Sequence, residues 1–187
     1  GGDGNDVIND TGYSNDLFYG GAGNDSILAQ SGLDVVYGGE GNDTLDGGSA
    51  RDTVYGDDGN DYLIDGGDTD RLFGGAGNDT LYSFDGGNPN FVYTDTLTGG
   101  SGDDVFTFAN LIDSNSTTFD IITDFVQGED SIKITFGFDT IFANGGSSDA
   151  GQLEYLYDAG NDWTMISDPY TSTFAVAVSG NITFTNS

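Results

Sequence analysis

Eleven aspartates recur at a near-constant step, and their chemistry is that of hard oxygen ligands. They are Asp6, Asp16, Asp25, Asp34, Asp43, Asp52, Asp61, Asp70, Asp79, Asp95 and Asp104. From Asp16 to Asp79 every step is nine residues; the step from Asp6 is ten, and the step from Asp79 to Asp95 is sixteen. Carboxylates brought together at regular intervals suit a hard divalent cation, which takes several oxygen ligands at once. Other chemistry is harder to find. The chain has no histidine and no cysteine, which removes a Ser-His-Asp triad, a His-Glu-x-x-His zinc site and most proton shuttles. It also removes a disulfide framework, without fixing the redox compartment. Paired carboxylates could in principle run glycosidase-type acid–base chemistry, but the repeat already accounts for these ones. The expectation is therefore no catalytic residues in this chain.

The elements that position the aspartates follow from what surrounds them. Each closes a phrase of the form G-G-x-G-x-D, complete at Gly1, Gly20, Gly38, Gly74 and Gly99 and nearly so at Gly56. Two residues after each aspartate stands an apolar residue: Ile8, Phe18, Ile27, Val36, Leu45, Val54, Leu63, Leu72, Leu81, Leu97 or Phe106. One apolar position between outward neighbours predicts a very short strand with one buried face. The glycine-rich residues before it predict a turn, since glycine takes positive φ freely. Turn, strand, turn, strand makes a coil of 18 residues, with the apolar side chains between two sheets.

Two phrases per coil give two columns of turns. Asp6, Asp25, Asp43, Asp61, Asp79 and Asp104 share one; Asp16, Asp34, Asp52, Asp70 and Asp95 share the other. Only the first column keeps its glycines, which predicts one well-formed cation ladder and one degenerate side. Coils stack about 4.8 Å apart. Bare carboxylates at that spacing repel by about 3 kcal/mol per pair at an effective dielectric of about 20, so the first column needs a counter-ion to stack.

A fixed nonapeptide period with this consensus resembles the RTX family of secreted proteins, whose repeats form a calcium-binding parallel β-roll. The resemblance implies an all-β fold: a right-handed parallel β-roll with 18 residues per coil and an antiparallel β cap. It implies several calcium ions, held by position-six carboxylates and turn carbonyls of adjacent coils. Here those carbonyls belong to Gly20, Ala22, Gly38, Glu40, Gly56, Asp58, Gly74, Ala76, Gly99 and Ser101.

Two further ladders follow from the period. Asn5, Asn24, Asn42, Asn60 and Asn78 occupy position five of the first column. Such a row could order water, as in ice-binding solenoids, but position three is uneven and charged. The plainer reading is that asparagine tolerates a left-handed turn. Tyr19, Tyr37, Tyr55 and Phe73, each 18 apart, leave their strands on the outer face. This stripe is a candidate face for a sugar or a neighbouring domain; stacking of like residues along a sheet is the plainer account.

The roll is expected over 1–108, with an inserted loop near 84–93 around Gly86, Gly87 and Pro89. Residues 109–187 read as a β-rich cap, since a solenoid needs a closed end. Its first strands, Asp120–Phe125 and Ser131–Phe136, are expected to form a hairpin on Gly128. Further antiparallel strands are expected at Leu153–Tyr157, Trp163–Ser167 and Phe174–Val178. The run D-x-I-x-D-F-x-x-G-x-D-x-I, met by Asp120, Ile122, Asp124, Phe125, Gly128, Asp130 and Ile132, resembles the C-terminal region of RTX exoproteins exported by the type I pathway. That resemblance makes Asp120, Asp124 and Asp130 candidates for another calcium, a metal-free hairpin being the alternative. The family's short acidic-apolar tail does not match Ile182–Ser187, which suggests that the last secretion residues are missing.

Composition bounds the partners. Three basic residues, Arg51, Arg71 and Lys133, face 32 acidic ones, for a net charge of −29. That excludes nucleic acid, which needs a basic face, and argues against anionic membranes. No run is apolar enough to span a bilayer, no signal peptide is visible, and Gly1 already lies inside a repeat, so the chain reads as a fragment of a longer protein. The expectation is an extracellular calcium-binding module that supports export, through bacterial type I secretion machinery, and folding of that protein. The competing readings are an accessory domain of a secreted protease, lipase or polysaccharide-modifying enzyme, and a sugar- or ice-binding module of an adhesin.

Overall fold

The structure, a computed structural model, describes residues 1–84, 93–109, 120–126, 129–136, 139–142, 154–158, 163–167 and 175–179. The expected loop around Gly86–Pro89, the Gly128 turn and the tail at 182–187 lie outside them.

The described residues form two sheets and no helix. Alternate strands go to alternate sheets, as an 18-residue coil requires. The first sheet holds β1 (Gly2–Asp3), β3 (Leu17–Ala22), β5 (Val35–Glu40), β7 (Thr53–Asp58), β9 (Arg71–Ala76), β11 (Thr96–Ser101) and β13 (Asp120–Ile122) in that order. The second holds β2 (Val7–Asn9), β4 (Ser26–Leu28), β6 (Thr44–Ser49), β8 (Tyr62–Gly67), β10 (Thr80–Phe84), β12 (Val105–Ala109) and β14 (Ser131–Phe136). Neighbours pair in parallel and in step with the repeat: Val36 faces Val54, and Leu45 faces Leu63. The fold is the parallel β-roll that the period implies.

Between the sheets runs one apolar stack. Ile27, Val36, Leu45, Val54, Leu63, Leu72, Leu81, Leu97 and Phe106 are buried, and Ile8 and Phe18 pack against them at the first coil. One methyl-rich side chain per half-coil is a thin core, and each layer touches only its neighbours.

Two expectations need correction. The central strands run six residues rather than three, taking in the first half of the turn phrase: β5 reads Val-Val-Tyr-Gly-Gly-Glu and β6 reads Thr-Leu-Asp-Gly-Gly-Ser. Backbone pairing between coils continues through the two glycines, so the turn proper is only the last residues of the phrase. The second correction is the hairpin. Asp120 and Ser131 do not begin paired strands; β13 adds to β11 and β14 adds to β12, both in parallel. Ile122 and Ile132 lengthen the apolar stack, so this segment is another coil, built without the repeat's glycine pair. Antiparallel pairing begins after it. β15 (Asp139–Phe142) folds back on β14, while β16 (Glu154–Asp158), β17 (Trp163–Ser167) and β18 (Ala175–Ser179) form an antiparallel meander that joins β13 through β18.

Candidate metal centre

The site is built from one residue type repeated. In each coil the position-six aspartate turns back into the roll, and its Oδ1 accepts a hydrogen bond from the aspartate N–H of the preceding coil. In the first column Asp6, Asp25, Asp43, Asp61 and Asp79 donate to Asp25, Asp43, Asp61, Asp79 and Asp104 in turn, at 2.7–2.8 Å. In the second, Asp16, Asp34, Asp52 and Asp70 donate to Asp34, Asp52, Asp70 and Asp95 over the same distances. The structure thus brings the members of each expected column together and in order.

The other oxygen is the informative one. Oδ2 of Asp25, Asp43, Asp61, Asp79 and Asp104, and of Asp34, Asp52 and Asp70, is buried without any hydrogen-bond partner. A buried carboxylate oxygen with no donor is costly, and eight in register are a demand for positive charge. Calcium fits that demand: it is hard, takes oxygen ligands and tolerates variable coordination. In the first column the candidate carbonyls are arranged accordingly. Those of Ala22, Glu40, Asp58, Ala76 and Ser101 each accept one inter-coil N–H, which leaves a second lone pair on each.

Electrostatics agree with the geometry. Burial pushes Asp61 up to about 6, Asp52 and Asp79 up to about 7, and Asp70 up to about 9. The neighbouring carboxylates add to the rise, while the accepted N–H bond opposes it. Asp34, Asp43 and Asp104 move in the same direction, burial again leading. Without a cation these groups keep a proton to higher pH than a free carboxylate does.

The two columns share one backbone. Positive φ at the second and fourth positions of the first column belongs to glycines such as Gly39, Gly41, Gly75 and Gly77, with Asp57 (75°) the one non-glycine among them. In the second column the same positions hold Gln30 (71°), Ala50 (80°) and Asp68 (81°), beside Gly32, Gly48 and Gly66. The side expected to be degenerate therefore keeps the turn conformation, at the strain of non-glycine residues in the left-handed region.

The columns differ at position one. A Cβ on Gly38 would lie 2.3 Å from Asp43 Oδ2 and 2.6 Å from the Gly56 carbonyl; Gly20, Gly56, Gly74 and Gly99 are equally tight. On Gly47, in the second column, the nearest atoms would be 3.0 Å away. A side chain can enter there, and Ala29 and Asp65 do so, both buried. This difference in room, invisible in the sequence, accounts for the glycine at position one of the first column.

The C-terminal candidates continue the ladders. Asp95 donates to Asp120 at 2.9 Å and Asp104 to Asp130 at 3.0 Å. Their second oxygens have protein donors: Ser83 Oγ for Asp120 and the Val126 N–H for Asp130. Asp124 accepts from the N–H groups of Gly99 and Gly100 at 2.9 and 2.8 Å. These three residues differ from the eight repeat aspartates whose second oxygens are buried without a donor.

The asparagines have a different task from the one expected. None has positive φ; instead Oδ1 of Asn5, Asn24, Asn42 and Asn60 accepts the asparagine N–H of the following coil at 2.7–2.9 Å. This ladder runs opposite to the aspartate ladder, so each turn is tied in both directions. Tyr19, Tyr37, Tyr55 and Phe73 stack face to face, with centroids 4.8–5.0 Å apart and planes within 10°. The two middle rings are stacked on both faces, and Tyr19, at the end of the row, is 56% exposed.

Comparison with known proteins falls on the same residues. The profile of the RTX calcium-binding nonapeptide repeat matches in four copies, over residues 1–27, 10–45, 46–81 and 93–110. No curated protein matches. Among solved structures, the AlgE6R3 subunit of the Azotobacter vinelandii mannuronan C5-epimerase is 26% identical, covering 97% of this chain and 74% of that one, with a TM-score of 0.37. The AlgE6R2 subunit of the same enzyme is 22% identical, covering 94% and 83%, with a TM-score of 0.38. The extracellular lipase LipA of Serratia marcescens is 18% identical, covering 91% of this chain and 37% of its own, with a TM-score of 0.34.

Proposed function

Because the chain belongs to the RTX calcium-binding nonapeptide repeat family, we propose that it is a calcium-driven folding module of a larger exported protein. The observation that carries this reading is the set of eight buried, partnerless Oδ2 atoms along both turn columns. A chain of net charge −29 with a core one residue thick does not close on its own. Calcium supplies the missing charge between successive turns, with Asp6, Asp25, Asp43, Asp61, Asp79 and Asp104 on one side and Asp16, Asp34, Asp52, Asp70 and Asp95 on the other.

The role in export follows by linkage. An ion that binds only the folded state shifts folding by an amount set by its free concentration. Where calcium is scarce, inside the cell, the chain stays extended and can be threaded through type I secretion machinery. Where calcium is abundant, outside, it folds and gives the attached protein an ordered end. The antiparallel meander that joins β13 closes the roll and serves as the nucleus from which coils add.

Circular dichroism during a calcium titration tests this. The β signal is expected to rise cooperatively with calcium, because each ion needs two turns and each turn serves two ions. Magnesium, which demands tight octahedral geometry, is expected not to replace it. Asp43→Asn and Asp52→Asn should each raise the calcium midpoint several-fold. A β signal that ignores calcium, or midpoints unchanged in both variants, would sink the proposal.

A further inference from the structure

The second column contains one carboxylate that the ladder does not call for. Asp65 stands at position one of its turn, where the preceding coils have Ala29 and Gly47. It lies on β8 two residues after Leu63, so it points to the same inner face and is 1% exposed. One carboxylate oxygen each from Asp65, Asp70 and Asp95 lie within 4.8 Å of one another, and all three residues are buried. Asp65 accepts from the N–H groups of Phe84 and Gly66, and Asp70 Oδ1 accepts from the Asp52 N–H. Asp70 Oδ2 has no partner although the residue is fully buried.

Ser83, beside Asp65 on the next coil, sharpens the shortage. Its hydroxyl lies 3.4 Å from Asp95 Oδ2 and 3.2 Å from Asp120 Oδ2. A hydroxyl has one proton to give, so it serves one of these carboxylates at a time. Arg71, next in sequence to Asp70, is exposed, while the carboxylates are buried. Several buried like charges in one place require a cation or protons.

We propose that Asp65, Asp70 and Asp95 form a calcium site inside the roll, in which a side-chain carboxylate at the glycine position supplements the turn. This deepens the calcium-folding reading and rests on it. Three carboxylates give more ligand charge than the two position-six aspartates available between neighbouring turns elsewhere, and ligand charge raises affinity for calcium. The ion held here should therefore be the last removed from the column.

Native mass spectrometry of the full chain in calcium tests it, on the wild type, Asp65→Asn, Asp65→Gly and, as a charge-matched control, Asp68→Asn. Asp68 is exposed in the same turn, and glycine at position 65 reproduces what Gly47 already does in the coil before. As calcium is titrated down, the wild type and Asp68→Asn are expected to keep one ion after the ordinary ladder ions have left, and both Asp65 variants to lose it together with them, one calcium fewer at that point. An unchanged count in the Asp65 variants overturns the site while leaving the ladders standing. An equal loss in Asp68→Asn also overturns it, because net charge alone would then account for the change. So does a loss in Asp65→Asn that Asp65→Gly does not share. A wild type that binds no calcium removes both this site and the function it rests on.

Discussion

At position one of the turn, a single methyl group separates what the two columns can hold. Gly38 is held as glycine by Asp43 Oδ2 and the Gly56 carbonyl, both well inside contact distance of any Cβ, whereas Gly47 has a clearance of 3.0 Å. Neither position requires positive φ, so the cost of a side chain is steric rather than conformational. Gly38→Ala is therefore expected to cost several kcal/mol, since two atoms of backbone and ladder must move, and Gly47→Ala about 1 kcal/mol or less. Chemical denaturation in saturating calcium checks this, and equal losses in the two variants would contradict the account. At this scale the sequence was legible where a residue repeats: the nine-residue step picks out the position-six aspartates directly. Asp65 was not legible. Its inward direction depends on β8 continuing past Leu63, and a glycine-rich phrase read as turn hides that alternation.

Three ladders that the period implies tie the elements together, and the geometry explains each. Aspartate and asparagine side chains tie neighbouring turns in opposite directions, and the aromatic row ties neighbouring strands on the outer face of the first sheet. Because the rings stack on one another, replacing two of them removes three stacks, each worth about 1 kcal/mol. Tyr37→Ala with Tyr55→Ala is expected to lower the thermal midpoint clearly in calcium. It is expected to leave glycan-array signals at the background of the wild type. Wild-type binding to a glycan that the double variant loses would instead make the row a recognition face. The coil at 120–134 shows where element reading fails. Asp120 with Ile122 and Asp130 with Ile132 keep the aspartate-to-apolar spacing of the repeats, and that signal was available. With Gly128 as its only glycine it reads as an ordinary hairpin, because turn residues fix strand ends in sequence whereas parallel pairing with β11 and β12 is a long-range fact.

Across the whole molecule, the carboxylates that bind charge also bind protons. The folded state raises Asp61 to about 6, Asp52 and Asp79 to about 7, Asp70 to about 9 and Asp95 to about 10, from an ordinary 3.8. Burial is the first cause in each, and for Asp95 the Asp120 carboxylate is the next. A raised folded value means that the folded chain binds more protons than the unfolded one between about 4 and those values. Stability without calcium then falls as pH rises through that window and is regained on acidification. In chelator, lowering the pH from 8 to 5 is expected to increase the β signal; in calcium, the same change should raise the calcium midpoint, since protons compete for the same oxygens. A β signal in chelator that falls on acidification would reverse the sign and contradict the burial of these groups.

The central claim is that cation binding, rather than apolar burial, decides whether this chain is compact. Small-angle X-ray scattering on the full chain, in chelator and then in millimolar calcium, addresses it most directly. A disordered chain of 187 residues has a radius of gyration of about 46 Å, and a compact one less than half that. The account predicts the larger value in chelator and a cooperative collapse to the smaller one as calcium is added. A chain that is already compact in chelator at neutral pH, with dimensions that calcium leaves unchanged, would contradict it.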